Sequence, residues 1–523
     1  MQKSIGDNQK LDLKIFNSNN PQLDILDIWR VESSQDNLLK EYFLQTSAFL
    51  ELSTTKKFLV AGRKGTGKSA LKSQFEEQYK NKANTFVLNL NFDDIFTSTF
   101  FDNITYEDNK TYRDLIKFLM LIRLLMIIAD EDLVSQNDRN VIIEFLQYNG
   151  FRLESFSQLY GKLQNDDEIL VDKIGINLFG VVSGEKSFKN EKDSFNKINY
   201  SQLLPDLELY IFNTLEKIGK DYYILIDKLD EFWSSYGDVY NRIIVSFLTV
   251  IKDLNYKFRN SKKSSKSKII IFIRSDMVEI IRGLDGNLNK IWQDEMIKID
   301  WQSDLQLGIL SNLCKMIEKR IEYGLKFRNG NHYYKSPYIK NALEYTYILK
   351  DDPYLGLKHI DNLEIKKGLF NRTFLRPRDF VKFFHFLSIS NSWENFMKSY
   401  SDYLLGEIQD ELTPILMKIG KIDIAIKALS KTVSNNRAIF SANEYIENYK
   451  KIYLLENFNE DEKKIENNAR KTLNKLYDYS VFGNIDKNMD FYRFNYRENN
   501  IISFDETQQC ILHSGLYKAL GVI

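Results

Sequence analysis

The stretch at positions 56–79, KKFLVAGRKGTGKSALKSQFEEQY, constrains the fold of this chain more than any other. Its apolar run at positions 58–61 is typical of a buried parallel strand, and positions 69–79 carry apolar residues at the spacing of a helix. The glycine-rich turn between them matches the pattern G-x-x-x-x-G-K-[ST] of a phosphate-binding loop, or P-loop. The residues that fill the pattern, with one additional glycine, are Gly62, Gly65, Gly67, Lys68 and Ser69.

The residue types of this turn suit a nucleoside triphosphate. Glycines reach positive φ and leave no Cβ in the way of a phosphate, while successive backbone N–H groups and the start of a helix attract anions. Lys68 is expected to reach the β- and γ-phosphates, and the Ser69 hydroxyl to hold Mg²⁺. The predicted cofactors are therefore ATP and Mg²⁺; the alternative is a glycine-rich turn with a chance lysine. The expected nucleotide contacts are Gly62, Arg63, Lys64, Gly65, Thr66, Gly67, Lys68, Ser69 and Ala70.

A second nucleotide motif follows an apolar run at positions 222–226, which predicts a buried strand beside the P-loop strand. Asp227 ends this run, where a carboxylate can hold Mg²⁺ through water. A second carboxylate a few residues on would orient the attacking water, and both Asp230 and Glu231 fit this role. The alternative is an acidic strand end that binds no metal.

A third apolar run, at positions 269–273, predicts another buried strand, and Arg274 follows it. A guanidinium matches phosphate oxygens in a bidentate fork, so Arg274 is a candidate for contact with the γ-phosphate. A structural ion pair with Asp276 is the alternative.

The segment TFLRPRD at positions 373–379 contains two arginines around the start of a predicted helix. Pro377 suits the first turn of that helix. Arg376 and Arg378 would then lie next to a positive dipole end, which predicts an anion nearby. The anion is either the γ-phosphate of a nucleotide or a carboxylate such as that of Asp379.

Length and composition exclude several classes of protein. The 523 residues suffice for about two to four domains, and 72 basic residues balance 72 acidic ones, which argues against a bulk polyanion binder. Two distant cysteines and four scattered histidines indicate a reducing compartment and no zinc site. The first residues lack the apolar core of a signal peptide. The most apolar segment, at positions 118–129, is too short to span a bilayer and predicts a buried helix, so we expect a cytoplasmic protein without membrane contact.

The end of the chain predicts a winged-helix-like domain. We expect a helix at positions 466–477, a strand at 491–497 that pairs with 501–504 as a hairpin, and a closing helix in HSGLYKAL. One face of the hairpin would touch DNA or serve as a lid or dimer surface. A basic stretch at positions 259–268 is either a solvated loop or a nucleic-acid contact. The polar residues expected on the hairpin face are Arg493, Asn495 and Arg497.

Three further features leave alternatives open. Asp93 and Asp94 follow a predicted strand and either aid the metal or form a solvated turn or helix cap. Trp29 and Phe43 either pack on a core or contact adenine. Positions 173–182 read as a short β segment, for which the sequence gives no chemistry.

Taken together, the motifs resemble a family of bacterial P-loop ATPases of the STAND branch, near the KAP ATPases. The resemblance implies a Walker A motif in the P-loop, Walker B at Asp227, a sensor 1 arginine at Arg274 and a sensor-2-like arginine at Arg378. Lys228 departs from the STAND pattern, in which glycine is frequent, and no repeat array, TIR, protease or nuclease motif follows the core. Members often lie in bacterial defence islands, which implies a role in antiviral defence. The segments that carry the resemblance are GRKGTGKSAL, LIDKLDE, FIRSD, the tryptophan of IDW (Trp301), LRPRD and the ILHSGLYKALG end at 511–521.

The expected fold is α/β: a P-loop NTPase core with a parallel sheet, then a helical lid and a C-terminal winged-helix-like domain. The favoured function is an ATPase that serves as a nucleotide-driven switch or motor subunit and acts through a homo-oligomer or a partner effector protein. One alternative is a DNA-handling ATPase that grips nucleic acid with positions 262–268 and 493–497, and another is a module that holds ATP without turnover. The expected domains are 1–50 (helical lead-in), 51–300 (NTPase core), 301–400 (helical lid) and 401–523 (helical and winged-helix-like).

Overall fold

The structure is a computed structural model of the chain. The residues it describes are 29–32, 35–96, 101, 109–130, 134–148, 168–172, 195–301, 312–328, 371–389, 393–416, 421–434, 437–456, 461–486, 491–495 and 503–522. The β segment expected at 173–182 and the wing residue Arg497 lie outside these residues.

Helices and strands of the described residues are numbered here in chain order. The helices are α1 Leu39–Tyr42, α2 Ser47–Thr54, α3 Lys68–Lys80, α4 Asn109–Ala129, α5 Gln136–Tyr148, α6 Tyr200–Ile218, α7 Trp233–Asn260, α8 Ser275–Arg282, α9 Asn312–Arg328, α10 Pro377–Ile389, α11 Trp393–Leu416, α12 Ile422–Thr432, α13 Ala442–Glu456 and α14 Glu462–Asp478. The strands are β1 Leu59–Gly62, β2 Thr85–Asn91, β3 Glu168–Asp172, β4 Phe195–Asn199, β5 Asp221–Asp227, β6 Lys268–Arg274, β7 Met296–Lys298, β8 Ile439–Phe440, β9 Phe482–Asp486, β10 Phe491–Arg493 and β11 Cys510–Leu512.

The chain divides into two compact units. The sheet unit comprises Ser47–Arg63 and Leu71–Ile299, and the helical unit comprises Met1–Thr46, Lys64–Ala70 and Asp300–Ile523. Most of the glycine-rich turn therefore belongs to the helical unit, whereas the strand before it belongs to the sheet unit. The four-part domain division expected from the sequence stays a prediction.

A five-stranded parallel sheet in the order β2-β5-β6-β1-β7 organises the sheet unit. Its strands β1 and β6 are buried along their whole length, and β5 is buried from its second residue on. Parallel strands covered on both faces are apolar along their length, which is why these runs are legible in the sequence. The predicted α/β fold with a parallel sheet is confirmed. The three-residue strand β7 was not predicted.

The apolar segment at positions 118–129 lies in α4, where it is almost wholly buried, as predicted. This helix packs against α6 and α7 of the same unit. Of the helices in the described part of the chain, we find none whose length and apolar character would let it cross a membrane.

The C-terminal part of the helical unit is winged-helix-like, as predicted. Along the chain it runs α12, β8, α13, α14, β9 and β11, and β11 pairs antiparallel with both β8 and β9. Helix α13 packs against α12 and α14. A helix, a strand, two helices and two strands in this order form a three-helix core with a small sheet at its side.

The details of the expected wing are wrong. Strand β10 pairs with β9, and in the expected partner segment the described positions 503 and 504 are not in a strand. Gly483 permits this pairing, because a Cβ at that position would collide with the carbonyl oxygen of Arg493. The expected closing helix is a single 3₁₀ turn at Ser514–Leu516 followed by further turns.

Candidate functional site

The glycine-rich turn has the local geometry that its sequence predicts. Gly62 ends β1 and Lys68 begins α3, so the turn joins a buried strand to a helix. Gly65 and Gly67 take φ of 81° and 92°, in the left-handed region where glycine carries no steric cost. At Gly67 no atom lies within 4 Å of the place of a Cβ, so the backbone angle rather than space favours glycine there.

Three consecutive carbonyl oxygens of the turn accept hydrogen bonds from elsewhere in the helical unit. The Lys64 carbonyl accepts from Nη1 of Arg376 at 3.2 Å, and the Gly65 carbonyl accepts from the backbone N–H of Arg378 at 3.2 Å. The Thr66 carbonyl accepts from the indole Nε1 of Trp301 at 2.9 Å. These bonds fix the orientation of three successive peptide units. The sequence did not predict these contacts of Trp301 and Arg376. The acceptors are main-chain carbonyls, which every residue has, so the sequence does not single them out.

Arg378, the second residue of α10, packs directly on the turn. Its Cβ lies 3.0 Å and its Cδ 3.3 Å from where a Cβ of Gly65 would stand, so only glycine admits this side chain without displacement. Its Nη1 donates to Oε2 of Glu407 on α11 at 3.2 Å. The helical unit thus brings the predicted arginine and the predicted loop together, and the role of Arg378 at a γ-phosphate stays a prediction.

The side chain of Arg376 binds two carboxylates of the protein. Its side chain is buried and forms two hydrogen bonds of 2.9 Å with Asp379, and its Nη1 donates to Glu411 at 2.5 Å. Burial pulls the pKa of Arg376 down, but the carboxylates of Asp379 and Glu411 more than offset this and hold it well above its ordinary value. For Arg376, the carboxylate alternative of the sequence analysis is therefore the one observed.

In the sheet unit, three strands end in residues that the sequence marks as site candidates. Gly62 at the end of β1 is in register with Arg274 at the end of β6, and Asp227 ends β5 on the far side of β6. The expectation that the strand of Asp227 lies next to the P-loop strand is wrong, since β6 separates them. Apolar runs show that strands are buried but do not show their order. The three residues still end at the same edge of the parallel sheet.

Asp227 is buried, and its Oδ1 accepts the backbone N–H of Lys228 at 2.8 Å. Lys228 takes φ of 61°, in the left-handed region. That backbone angle is one that glycine adopts freely and that a residue with a Cβ adopts only at a steric cost. Asp230 and the exposed Glu231 lie in the turn that follows.

Arg274 is held by two carboxylates of the sheet unit. Its Nε and Nη2 donate to the two oxygens of Asp276 at 3.0 and 2.5 Å, and its Nη1 donates to Asp230 at 3.1 Å. Its guanidinium also lies 5.4 Å from the ring centroid of Trp233. The ion pair with Asp276 that the sequence offered as the alternative is present, and the link to Asp230 connects the two predicted catalytic positions. Contact of Arg274 with a γ-phosphate stays a prediction.

Lys72, one turn into α3, is a charged neighbour of Asp227 that sequence reasoning missed. Burial lowers the pKa of Lys72, and the carboxylate of Asp227 opposes this shift. A lysine on an amphipathic helix carries no sequence signal that separates it from a solvent-facing residue.

Two of the features left open in the sequence have structural roles. Asp94 caps the 3₁₀ turn at Phe92–Asp94, where its carboxylate accepts the backbone N–H of Asn91 at 2.7 Å. Trp29 is buried and stacks on Phe384 with 5.1 Å between ring centroids. Within the described ranges, no group of three or more His, Cys, Asp and Glu residues is placed to bind a metal ion.

Residues considered for nucleic-acid contact are partly engaged inside the protein. Arg259 is paired with Glu295, and Lys268 is buried. The side-chain amide of Asn495 donates to the carbonyl oxygen of Asp478 at 2.9 Å.

Comparison with protein-family models gives no match, and comparison with curated proteins gives none either. Among solved structures, the chain is similar to the Orc1 protein of Aeropyrum pernix, whose structure was determined in complex with DNA. The match has 10% sequence identity, covers 92% of this chain and 90% of that chain, and has a TM-score of 0.30.

Proposed function

We propose that this chain is a P-loop ATPase that binds and hydrolyses MgATP and serves as a nucleotide-driven switch or motor subunit. The observation that carries the proposal is the packing of Arg378 on Gly65, in a turn with two positive-φ glycines between a buried strand and a helix. A cation that lies against a phosphate-binding loop is suited to the charge of a γ-phosphate.

The proposed roles follow the chemistry of phosphoryl transfer, in which positioning and charge stabilisation dominate. The turn from Gly62 to Ala70 cradles the phosphates, with Lys68 at the β- and γ-phosphates. Ser69 and Asp227 hold Mg²⁺. Asp230 or Glu231 orients the attacking water. Arg274 and Arg378 stabilise the charge that develops on the γ-phosphate.

The motifs quoted above support a place near the STAND and KAP ATPases, and the biological context we propose by analogy is bacterial antiviral defence. In such a switch, nucleotide state would be passed to a homo-oligomer or to a partner effector protein. An adjacent nuclease or toxin gene would identify that effector.

The test of nucleotide binding is thermal unfolding with and without MgATP. At about one hundred times its dissociation constant, a ligand stabilises the fold by about 2.7 kcal/mol. We expect Lys68→Ala to remove most of this stabilisation, because the lysine is the charged group of the loop that meets the β- and γ-phosphates. Lys80→Ala, at the exposed end of the same helix, is the matched control and should keep the full shift. An undiminished shift in Lys68→Ala would refute the P-loop assignment.

A second candidate function is a DNA-handling ATPase, and one observation favours it. Helix α14 of the winged-helix-like part exposes Lys463, Asn467 and Lys471 at intervals of four residues, and therefore along one face. Lysine and asparagine are suited to phosphate and base-edge contacts. Stimulation of ATP hydrolysis by duplex DNA, lost in Lys463→Glu/Lys471→Glu, would favour this function over the switch.

A further inference from the structure

Glu407, on α11, lies between two cations that flank the glycine-rich turn. Its Oε2 accepts from Nη1 of Arg378 at 3.2 Å, and its Oε1 is 3.6 Å from Nζ of Lys64. Lys64 also pairs with Asp410, one turn further along α11, at 3.0 Å. All four side chains belong to the helical unit.

The two carboxylates, Glu407 and Asp410, differ in how far they are buried. The side chain of Glu407 is 13% exposed, whereas that of Asp410 is 68% exposed. Exposed ion pairs contribute little because water screens them and because long side chains lose freedom when they are held. Glu407 is therefore the carboxylate that fixes the local geometry, and Asp410 is a surface partner of Lys64.

The contact with Glu407 engages only one nitrogen of the Arg378 guanidinium. Over the described part of the chain, the ion pair of Arg378 uses Nη1 alone, while a guanidinium carries five N–H donors in a fixed fork. The backbone N–H of Arg378 is tied to Gly65, and its Cβ and Cδ pack against the same glycine. Both ends of the side chain are thus fixed, one by the turn and the other by Glu407.

We propose that Glu407 is a positioning residue that sets the preference of the site for ATP over ADP. By anchoring one edge of the Arg378 guanidinium, it aims the remaining donors at the γ-phosphate, the group that ADP lacks. This inference rests on the proposed nucleotide function. If Glu407 instead competed with the phosphate for Arg378, its removal would strengthen ATP binding, so the two roles predict opposite signs.

The experiment compares the affinities of the full chain for MgATP and MgADP by calorimetry. We expect Glu407→Ala to reduce the ATP-over-ADP preference about threefold to tenfold, since a misplaced charge-assisted contact loses part of its contribution, while ADP affinity stays near that of the wild type. Glu407→Gln keeps the side-chain volume and an acceptor oxygen, so it should fold and show a smaller loss in the same direction. Asp410→Ala is the matched control and should leave the preference unchanged.

Two results would overturn the inference. A higher ATP affinity in Glu407→Ala and Glu407→Gln would make Glu407 a competitor of the phosphate. An equal change in ATP and ADP affinity, or none, would leave it a structural residue only. Failure of the proposed function appears elsewhere, in a wild-type chain that binds neither nucleotide, and is therefore distinguishable.

Discussion

At position 228 the backbone takes a φ of 61°, where a residue with a Cβ pays about 1–2 kcal/mol. Glycine avoids this cost but loses more chain entropy on folding, about 0.5–1 kcal/mol. Because the Lys228 side chain is exposed, we expect Lys228→Gly to raise the free energy of unfolding by about 0.5–1 kcal/mol, the difference between these terms. Urea denaturation measures it, and Lys228→Ala, which keeps a Cβ, should gain nothing. A destabilised Lys228→Gly would show that the lysine itself has a stabilising contact.

Residue-scale partners could be predicted from the sequence only when they lie close along the chain. The pairs Arg274–Asp276 and Arg376–Asp379 span two and three residues, and both were among the alternatives that the sequence offered. Glu407 lies 29 residues from Arg378 and on another helix, so nothing in the local pattern connects them. The glycines of the P-loop could be predicted because their requirement for positive φ is local to the turn.

At the scale of elements, continuous apolar runs predicted β1, β5 and β6 close to their observed limits. Strands of three to five residues such as β7, β9 and β11 were not found. β9 reads FGNID, with glycine, asparagine and aspartate, which have low strand propensity, so its pairing is decided by neighbouring strands rather than by its own sequence. The pairing of β10 with β9 was not predicted, for the same reason.

Lys268 joins two elements of the sheet unit, because it begins β6 and reaches the end of α2. Its Nζ donates to the carbonyl oxygens of Leu52, Thr55 at 3.0 Å and Lys57 at 3.3 Å. Burial, with a smaller contribution from Arg259, lowers the pKa of Lys268 to about 7, whereas an unfolded lysine titrates near pH ~10.4. Between these values the unfolded chain binds more protons at this position than the folded chain does.

The free energy of unfolding is therefore expected to rise with pH above about 7 through the contribution of Lys268. In Lys268→Met this contribution is absent, so urea denaturation at pH 7 and pH 9 should show a smaller increase than in the wild type. Lys262→Met, which changes an exposed lysine in the loop before β6, should keep the wild-type increase. Equal pH dependence in Lys268→Met and wild type would mean that Lys268 titrates normally in the folded chain.

At the scale of the whole chain, the helical unit gathers sequence motifs that are far apart. The segment before Arg378 contacts the C-terminal motif, because the ring of His513 stacks on Phe374 with 4.4 Å between centroids. The backbone N–H of Gly515 donates to Nδ1 of His513 at 3.2 Å, and Oγ of Ser514 donates to the carbonyl oxygen of Asn371 at 2.9 Å. The C-terminal motif thus packs against the segment that contains Arg376 and Arg378, the two arginines that contact the P-loop.

Gly515 is closely packed against this segment. A Cβ there would collide with the carbonyl oxygen of Arg372 and lie 2.7 Å from Cδ1 of Leu404. We expect Gly515→Ala to destabilise the fold by about 1–3 kcal/mol, the usual cost of overpacking, and to weaken MgATP binding because the Arg372 segment must shift. Thermal melts and calorimetry measure the two effects. Gly406→Ala, which adds a Cβ with no atom within 4 Å, should leave ATP affinity unchanged. A Gly515→Ala variant that is destabilised yet binds MgATP with wild-type affinity would show that the C-terminal motif stabilises the fold without positioning the arginines.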